Sequence, residues 1–145
     1  MDKIPVKRLK PNAILPTYGS AEAAGADLYA CLEEAMTIPA GETKLVPTGI
    51  ALEVPVHCAG LIYARSGLAC KRGLAPANKV GVIDSDYRGQ VMVALHNHGK
   101  QSQTISYGER IAQLLVTPVF TPGFLEASEL DDTQRGTGGF GSTGK

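Results

Sequence analysis

Tryptophan is absent from the 145 residues, aromatic residues make up only 6%, and the charges cancel, with 14 Lys and Arg against 14 Asp and Glu. A balanced chain has no general attraction for nucleic acid or an anionic membrane, so any polyanion must be held by locally placed groups. Cysteine is scarce too. Cys31, Cys58 and Cys70 are odd in number and widely spaced, and no C-x-x-C occurs. This argues against a disulfide framework or a zinc site and fits a reducing compartment, the cytoplasm. The N-terminal "MDKIPVKRLKPNAILP" lacks the apolar stretch of a signal peptide. No apolar run approaches the roughly 20 residues of a membrane span.

What is present suits one globular domain: 43% apolar and 19% charged residues over a length able to bury a core. The 17 glycines and 9 prolines are spread along the chain and cut it into short apolar runs. These runs are "KIPVKRL", "MTIPA", "TKLVPTGIALEV", "GLIYA", "QVMVALHN", "QTISY" and "RIAQLLVTPVF". Many short strands at this spacing predict an all-β sandwich or barrel. Val91, Val93 and Leu95 alternate with Met92, Ala94 and His96, which predicts a strand buried on both faces. Pro118 and Pro122 would stop a helix running on from "RIAQLLV". Ser20–Met36 has helical propensity with Leu28, Leu32 and Ala35 on one face, yet Gly25 interrupts it, so helix and strand stand level there. One short helix is expected over Ser66–Gly73, capped by Ser66 and ended by Gly73. After Phe124 the chain turns acidic and then glycine-rich, with Phe140 the one apolar residue among the last fifteen. Such a segment cannot offset its ordering entropy by burial. The expected division is a core over residues 1–125 and an arm over 126–145.

Four stretches can carry chemistry. Gly139–Lys145 spells G-x-x-x-x-G-K, but with neither a Ser or Thr nor a helix after it a mononucleotide P-loop is not the expected reading. The glycines still let backbone N–H groups converge on phosphate. Arg135 adds a forked donor, Ser142 and Thr143 add hydroxyls, and Phe140 offers a face for a base. In "NKVGVIDSDYRGQV" a strand runs into a polar turn where Asp84 and Asp86, two apart, can point the same way. The alternative is a hairpin whose aspartates bond their own backbone. Arg65, Ser66 and Gly67 fall at the start of the expected helix, where free N–H groups favour an anion, or where Ser66 is a plain cap. Gln113 lies in an apolar strand as either a structural bridge or a ligand donor. His96 and His98 share a strand face without a third ligand nearby, and read as surface imidazoles. Cys70 has basic neighbours, Lys71 and Arg72, but no partner base.

In chain order, "AGADLYA", "ARSGLA", "NKVGVIDSDYRG", "GERIAQLLV" and "RGTGGFGSTG" resemble the five motifs of the trimeric dUTP diphosphatases. The resemblance implies a jelly-roll-like distorted β-barrel with one short helix, assembled as a homotrimer. It turns Ser20–Met36 towards β and places each active site between subunits, with the C-terminal arm as a lid over a neighbour's site. It also implies hydrolysis of dUTP to dUMP and diphosphate, which limits uracil in DNA and supplies dUMP for dTMP synthesis. By the same resemblance Asp84 is the general base that activates water against the α-phosphorus. Asn78 and the backbone of Gly81, Val82 and Ile83 read uracil, Tyr87 packs on the sugar and excludes a 2′-hydroxyl, and Met92 lines the substrate. Arg65, Ser66, Gly67 and Gln113 contact phosphates. In the arm Arg135 meets the terminal phosphates, Phe140 caps uracil, and Gly141 and Ser142 complete the substrate-binding set. Asp27 is a supporting carboxylate that orients an arginine or a metal-bound water. Mg2+ is implied, held by the triphosphate and waters rather than by protein ligands. Nucleic acid and membranes are not expected partners. A related dCTP deaminase would usually carry Pro-Gly after the motif-three aspartate, whereas "SDYRG" follows Asp84. A non-catalytic nucleotide-binding trimer is the rival from another class, and Asp84 together with the full tail speaks against it.

Overall fold

The computed structural model describes residues 3–140. Twelve short strands and one helix follow along the chain: β1 (Val6–Arg8), β2 (Thr17–Tyr18), β3 (Ala26–Tyr29), β4 (Met36–Ile38), β5 (Thr43–Pro47), β6 (Ile50–Leu52), β7 (Cys58–Tyr63), α1 (Ser66–Arg72), β8 (Leu74–Pro76), β9 (Gly81–Ile83), β10 (Met92–Asn97), β11 (Gln103–Ile105) and β12 (Arg110–Pro118). All pairings are antiparallel. The largest sheet runs β2-β3-β12-β7-β9, a second runs β5-β10-β8, and β1-β6 and β4-β11 form two-stranded ribbons. They wrap one core in which Leu28, Ile38, Ile50, Leu74, Leu95, Ile105 and Ile111 are fully buried. Burying each such side chain is worth roughly 1.5–3 kcal/mol. This is the jelly-roll-like distorted barrel with one short helix.

Several local expectations change in the fold. No helix forms over Ser20–Met36. Ala26, Asp27 and Leu28 are buried in β3 between β2 and β12, and Ala35, on the expected helical face, is exposed. Burial on the two faces of a strand outweighs helix propensity here. In β10, Val93, Leu95 and Asn97 enter the core, but Met92, Ala94 and His96 are only half-buried, so one face is closed rather than two. Asn97 is satisfied in the core: its Nδ2 donates to Ile38 O at 2.9 Å and Gln101 O at 2.8 Å, and its Oδ1 accepts from Gly99 N at 2.9 Å. Helix α1 is capped by Arg65 in extended backbone, one residue before the expected Ser66, and without a side-chain cap bond. Gly73 ends it as expected, in the left-handed region at φ 66°, which an L side chain resists. The strands β2 and β8 escape notice in the sequence because they are two and three residues long and β8 ends in Pro76.

The chain leaves the body after Val119, whose N–H donates to His57 O at 2.9 Å. From Phe120 to Thr137 it is exposed, and among the described residues its hydrogen bonds are local turns.

Candidate active site

Two of the cavities along the largest sheet are lined by residues expected from the sequence. The first, about 230 Å³, opens beside β9, which pairs with β7 through Gly60–Ile83, Leu61–Val82 and Ile62–Gly81. Asn78, Gly81, Val82, Ile83, Asp84, Tyr87 and Met92, all expected from the sequence, line it, and Ile62, Gln90 and Val91 join them. The segment after β9 is a turn in which Tyr87 N donates to Asp84 O at 3.2 Å. The Tyr87 hydroxyl donates to Gln90 O at 2.9 Å, which fixes the ring across the cavity wall. Further on, Val91 N donates to Ile50 O at 2.8 Å and Thr48 Oγ1 to Val91 O at 2.6 Å, so the turn is tied to the core at its far end. Asp84 is exposed and lines the cavity, whereas Asp86 does not. The paired-carboxylate reading therefore gives way to a single aspartate at an apolar and amide-lined cavity.

The second cavity, about 220 Å³, is lined by Gly19, Ala23, Gly25, Asp27, Arg65, Ser66, Arg110 and Gln113. Asp27 is 7% exposed and sits between two guanidinium groups. Arg65 Nε donates to its Oδ1 at 2.6 Å, and Arg110 Nη1 donates to its Oδ2 at 3.3 Å. Two cations on one carboxylate leave the cavity wall net positive, with forked donors suited to phosphate oxygens. Gln113 Nε2 donates to Ala64 O at 2.9 Å, which fixes the residue before Arg65. A glutamine amide has a second N–H for a ligand, so the bridging and donating roles are compatible. A Cβ at position 25 would meet Gln113 Oε1 at 2.6 Å, so a larger residue there would displace the Gln113 amide.

Arg110 lines this cavity, and sequence reasoning missed it. Arg110 and Gln113 are three apart, so a regular strand would aim them at opposite faces. A β-bulge resolves this. Arg110 pairs with Tyr29, Gln113 pairs with Asp27, and the register shifts between Arg110 and Ala112. Asp27 and Tyr29 share a face, so the extra residue brings Arg110 and Gln113 to one side. The only sequence signal was the arginine itself, in the same segment as Gln113.

The two cavities share no lining residue within the chain. Gly67 is exposed and lines neither. Arg135 and Phe140 also line neither: Arg135 Nε donates to Gly138 O at 2.7 Å, and Phe140 is fully exposed at φ 52°. Gly141, Ser142 and Thr143 lie outside the described residues. Among the described residues no group of three or more His, Cys, Asp or Glu could hold a metal ion. Both Asp27 oxygens already accept from arginines. The side-chain oxygens of this cavity, on Asp27, Ser66 and Gln113, are donors of the type a hard cation takes. His96 Nδ1 and Thr43 Oγ1 are 2.9 Å apart, and the His96 and His98 rings meet edge to face at 4.4 Å between centroids. Partial desolvation, then the charges of His96 and Lys79, hold His98 below the ordinary 6.5. The three cysteines are free. Among the described residues no helix is long and apolar enough to cross a membrane.

Residues 11–144 match the model of the dUTPase family. The deoxyuridine 5'-triphosphate nucleotidohydrolase of Desulfitobacterium hafniense is 52% identical over 131 residues, which cover 90% of this chain and 87% of that protein. The protein of the same name from Hahella chejuensis is 48% identical over 98% of this chain and 94% of its own length. Among solved structures, the Staphylococcus bacteriophage 80alpha dUTPase with dUPNHPP superposes with a TM-score of 0.90 at 27% identity, covering all of both chains. A dUTPase from phage phi11 of S. aureus, described with a structural Mg(II) ion, shares the fold at a TM-score of 0.81 and 23% identity over 90% of this chain and all of that one.

Proposed function

This chain belongs to the dUTPase family and hydrolyses dUTP, and we propose that it does so with Asp84 as the general base. The observation that carries the reading is the division of labour between the cavities: one apolar and amide-lined with a single carboxylate, the other a pair of guanidinium groups. Uracil lies against the β9 hairpin, read by Asn78 and the backbone of Gly81, Val82 and Ile83. The sugar packs on Tyr87, whose ring is fixed by its bond to Gln90 O and leaves no room for a 2′-hydroxyl. Met92 closes the wall.

Asp84 accepts a proton from water as the water oxygen bonds to the α-phosphorus. The bond from that phosphorus to the bridging oxygen of the β-phosphate breaks, and diphosphate leaves with the electron pair. General-base help of this kind is worth roughly 10²- to 10⁴-fold, and alignment and charge neutralisation supply the rest. Arg65, Ser66, Gly67, Arg110 and Gln113 hold the triphosphate, and Asp27 orients Arg65. Mg2+ would be held by triphosphate oxygens and waters, with Asp27 as the nearby carboxylate, and when bound would neutralise phosphate charge.

The complete site forms in a homotrimer. The two cavities are separate within one chain, and the outer face of β5-β10-β8 presents an exposed Leu45 beside half-buried Met92 and Ala94. Residues 1–125 act as the hydrolase core and 126–145 as an arm, which closes over a neighbour's site with Arg135 on the terminal phosphates and Phe140 on uracil. Gly141 and Ser142 extend that contact. Exposed Phe120, Phe124 and Leu125 give the arm's root apolar surface for the neighbour. Unpaired cysteines fit the cytoplasm.

Diphosphate release measured across dUTP, dCTP, dTTP and UTP tests the reading. Turnover of dUTP alone is expected. Uracil products from dCTP would favour the deaminase relatives instead.

A further inference from the structure

We propose that Arg72 is a positioning residue for triphosphate binding, acting from the far end of α1. This inference rests on the phosphate pocket assigned above. The helix has seven residues, buries only Leu68 and has no side-chain cap, and a helix this short has little stability of its own. Beyond Leu68 in the core, its position comes from anchors at its ends. At the N-terminal end Arg65 is tied to Asp27. At the C-terminal end, about 9 Å from Ser66 along the axis, Arg72 places every guanidinium nitrogen. Its Nε donates to Gln103 Oε1 at 3.0 Å, its Nη1 to Glu109 Oε2 at 2.6 Å, and its Nη2 to Thr104 O.

Glu109 is the far half of the clamp, and it directly precedes Arg110. Its other oxygen accepts from Ser106 N at 2.8 Å, and its backbone O accepts from Ala30 N at 2.8 Å. The next backbone positions enter the bulge that aims Arg110 and Gln113. Arg72 therefore joins the helix bearing Arg65 and Ser66 to the strand entrance bearing Arg110, and so sets the distance between the two halves of the cationic pocket. Neither Arg72 nor Glu109 lines that pocket, so the effect passes through geometry. The nucleoside cavity takes no residue from α1 or from the Gly108–Gln113 segment. Losing the clamp should therefore separate phosphate binding from nucleoside binding.

The test compares wild type with Arg72→Ala and Arg72→Lys. Calorimetry gives the affinities for dUMP and for α,β-imido-dUTP, and steady-state assays give kcat and KM. For Arg72→Ala the expected result is an unchanged dUMP affinity, a roughly tenfold smaller preference for the imido triphosphate and a 10- to 100-fold lower kcat, the scale of an ångström-level misplacement. Arg72→Lys, which keeps the charge on Glu109 but not the fork, should recover part of both. If Arg72→Ala does not fold, Gln103→Ala removes one bond of the clamp and should move the triphosphate preference in the same direction. An unchanged preference and kcat in the folded variants would overturn the proposal, as would equal losses for both ligands. A wild type that binds the imido triphosphate no better than dUMP would remove the phosphate-pocket reading itself, and this inference with it.

Discussion

Replacing Asp27 by Asn tests whether that carboxylate holds Arg65 in place. The change keeps the shape and one acceptor oxygen but removes the charge between Arg65 and Arg110. The Arg65 bond is short at 2.6 Å, with side-chain exposures of 25% for Arg65 and 10% for Asp27. A charge-assisted bond in such a setting is worth about 1.5–3 kcal/mol. The Arg110 pair adds less: it is longer at 3.3 Å and Arg110 is 51% exposed, so solvent screening holds it below roughly 1 kcal/mol. Asn retains part of the first bond, which leaves an expected loss of about 2 kcal/mol. For a domain of this size that corresponds to a fall in Tm of roughly 4–8 °C. Melting should be followed at fixed protein concentration, because assembly also stabilises the fold. Turnover should fall further than stability alone would suggest, because Arg65 loses its fixed direction towards the phosphates. A variant with wild-type Tm and wild-type kcat would refute the reasoning, and Asp27 would then be a bystander.

Truncation after Gln134 should leave the melting profile of the body intact, since from Phe120 onward the described arm bonds only to itself, while dUTP turnover drops sharply; full activity without the tail would remove the lid. His98 should titrate below 6.5 by NMR and return towards that value in Lys79→Ala. The folded state holds this proton less tightly than the unfolded chain, so the contribution of His98 to stability is present above pH 6.5 and lost as pH falls through the lowered folded value. A stability that rises as pH falls across that range would contradict the sign.

Much of the candidate site's lining was legible because its residues are close in sequence. Asn78 to Tyr87 is one strand and one turn, and a hairpin keeps such neighbours together. Gly73 announced the end of α1 because only a left-handed terminator suits that position. What the sequence hid was set by tertiary contacts. Ser20–Met36 has the composition of a helix, and only burial between β2 and β12 makes β3 of its centre. Gly25 was the warning: a glycine there is a poor helix residue but allows Gln113 to approach closely. Arg110 was concealed by a bulge that no residue type marks. Asn97, inside an alternating strand, gave no sign that it would be buried and satisfied by Ile38, Gly99 and Gln101. Arg72 read as a basic neighbour of Cys70, because its three partners lie more than thirty residues downstream.

The most direct measurement is dUTP turnover and imido-dUTP binding in Asp84→Asn. The variant should bind the analogue as wild type does and lose roughly 10²- to 10⁴-fold in kcat. Wild-type turnover in that variant would contradict the assignment of Asp84 as the base.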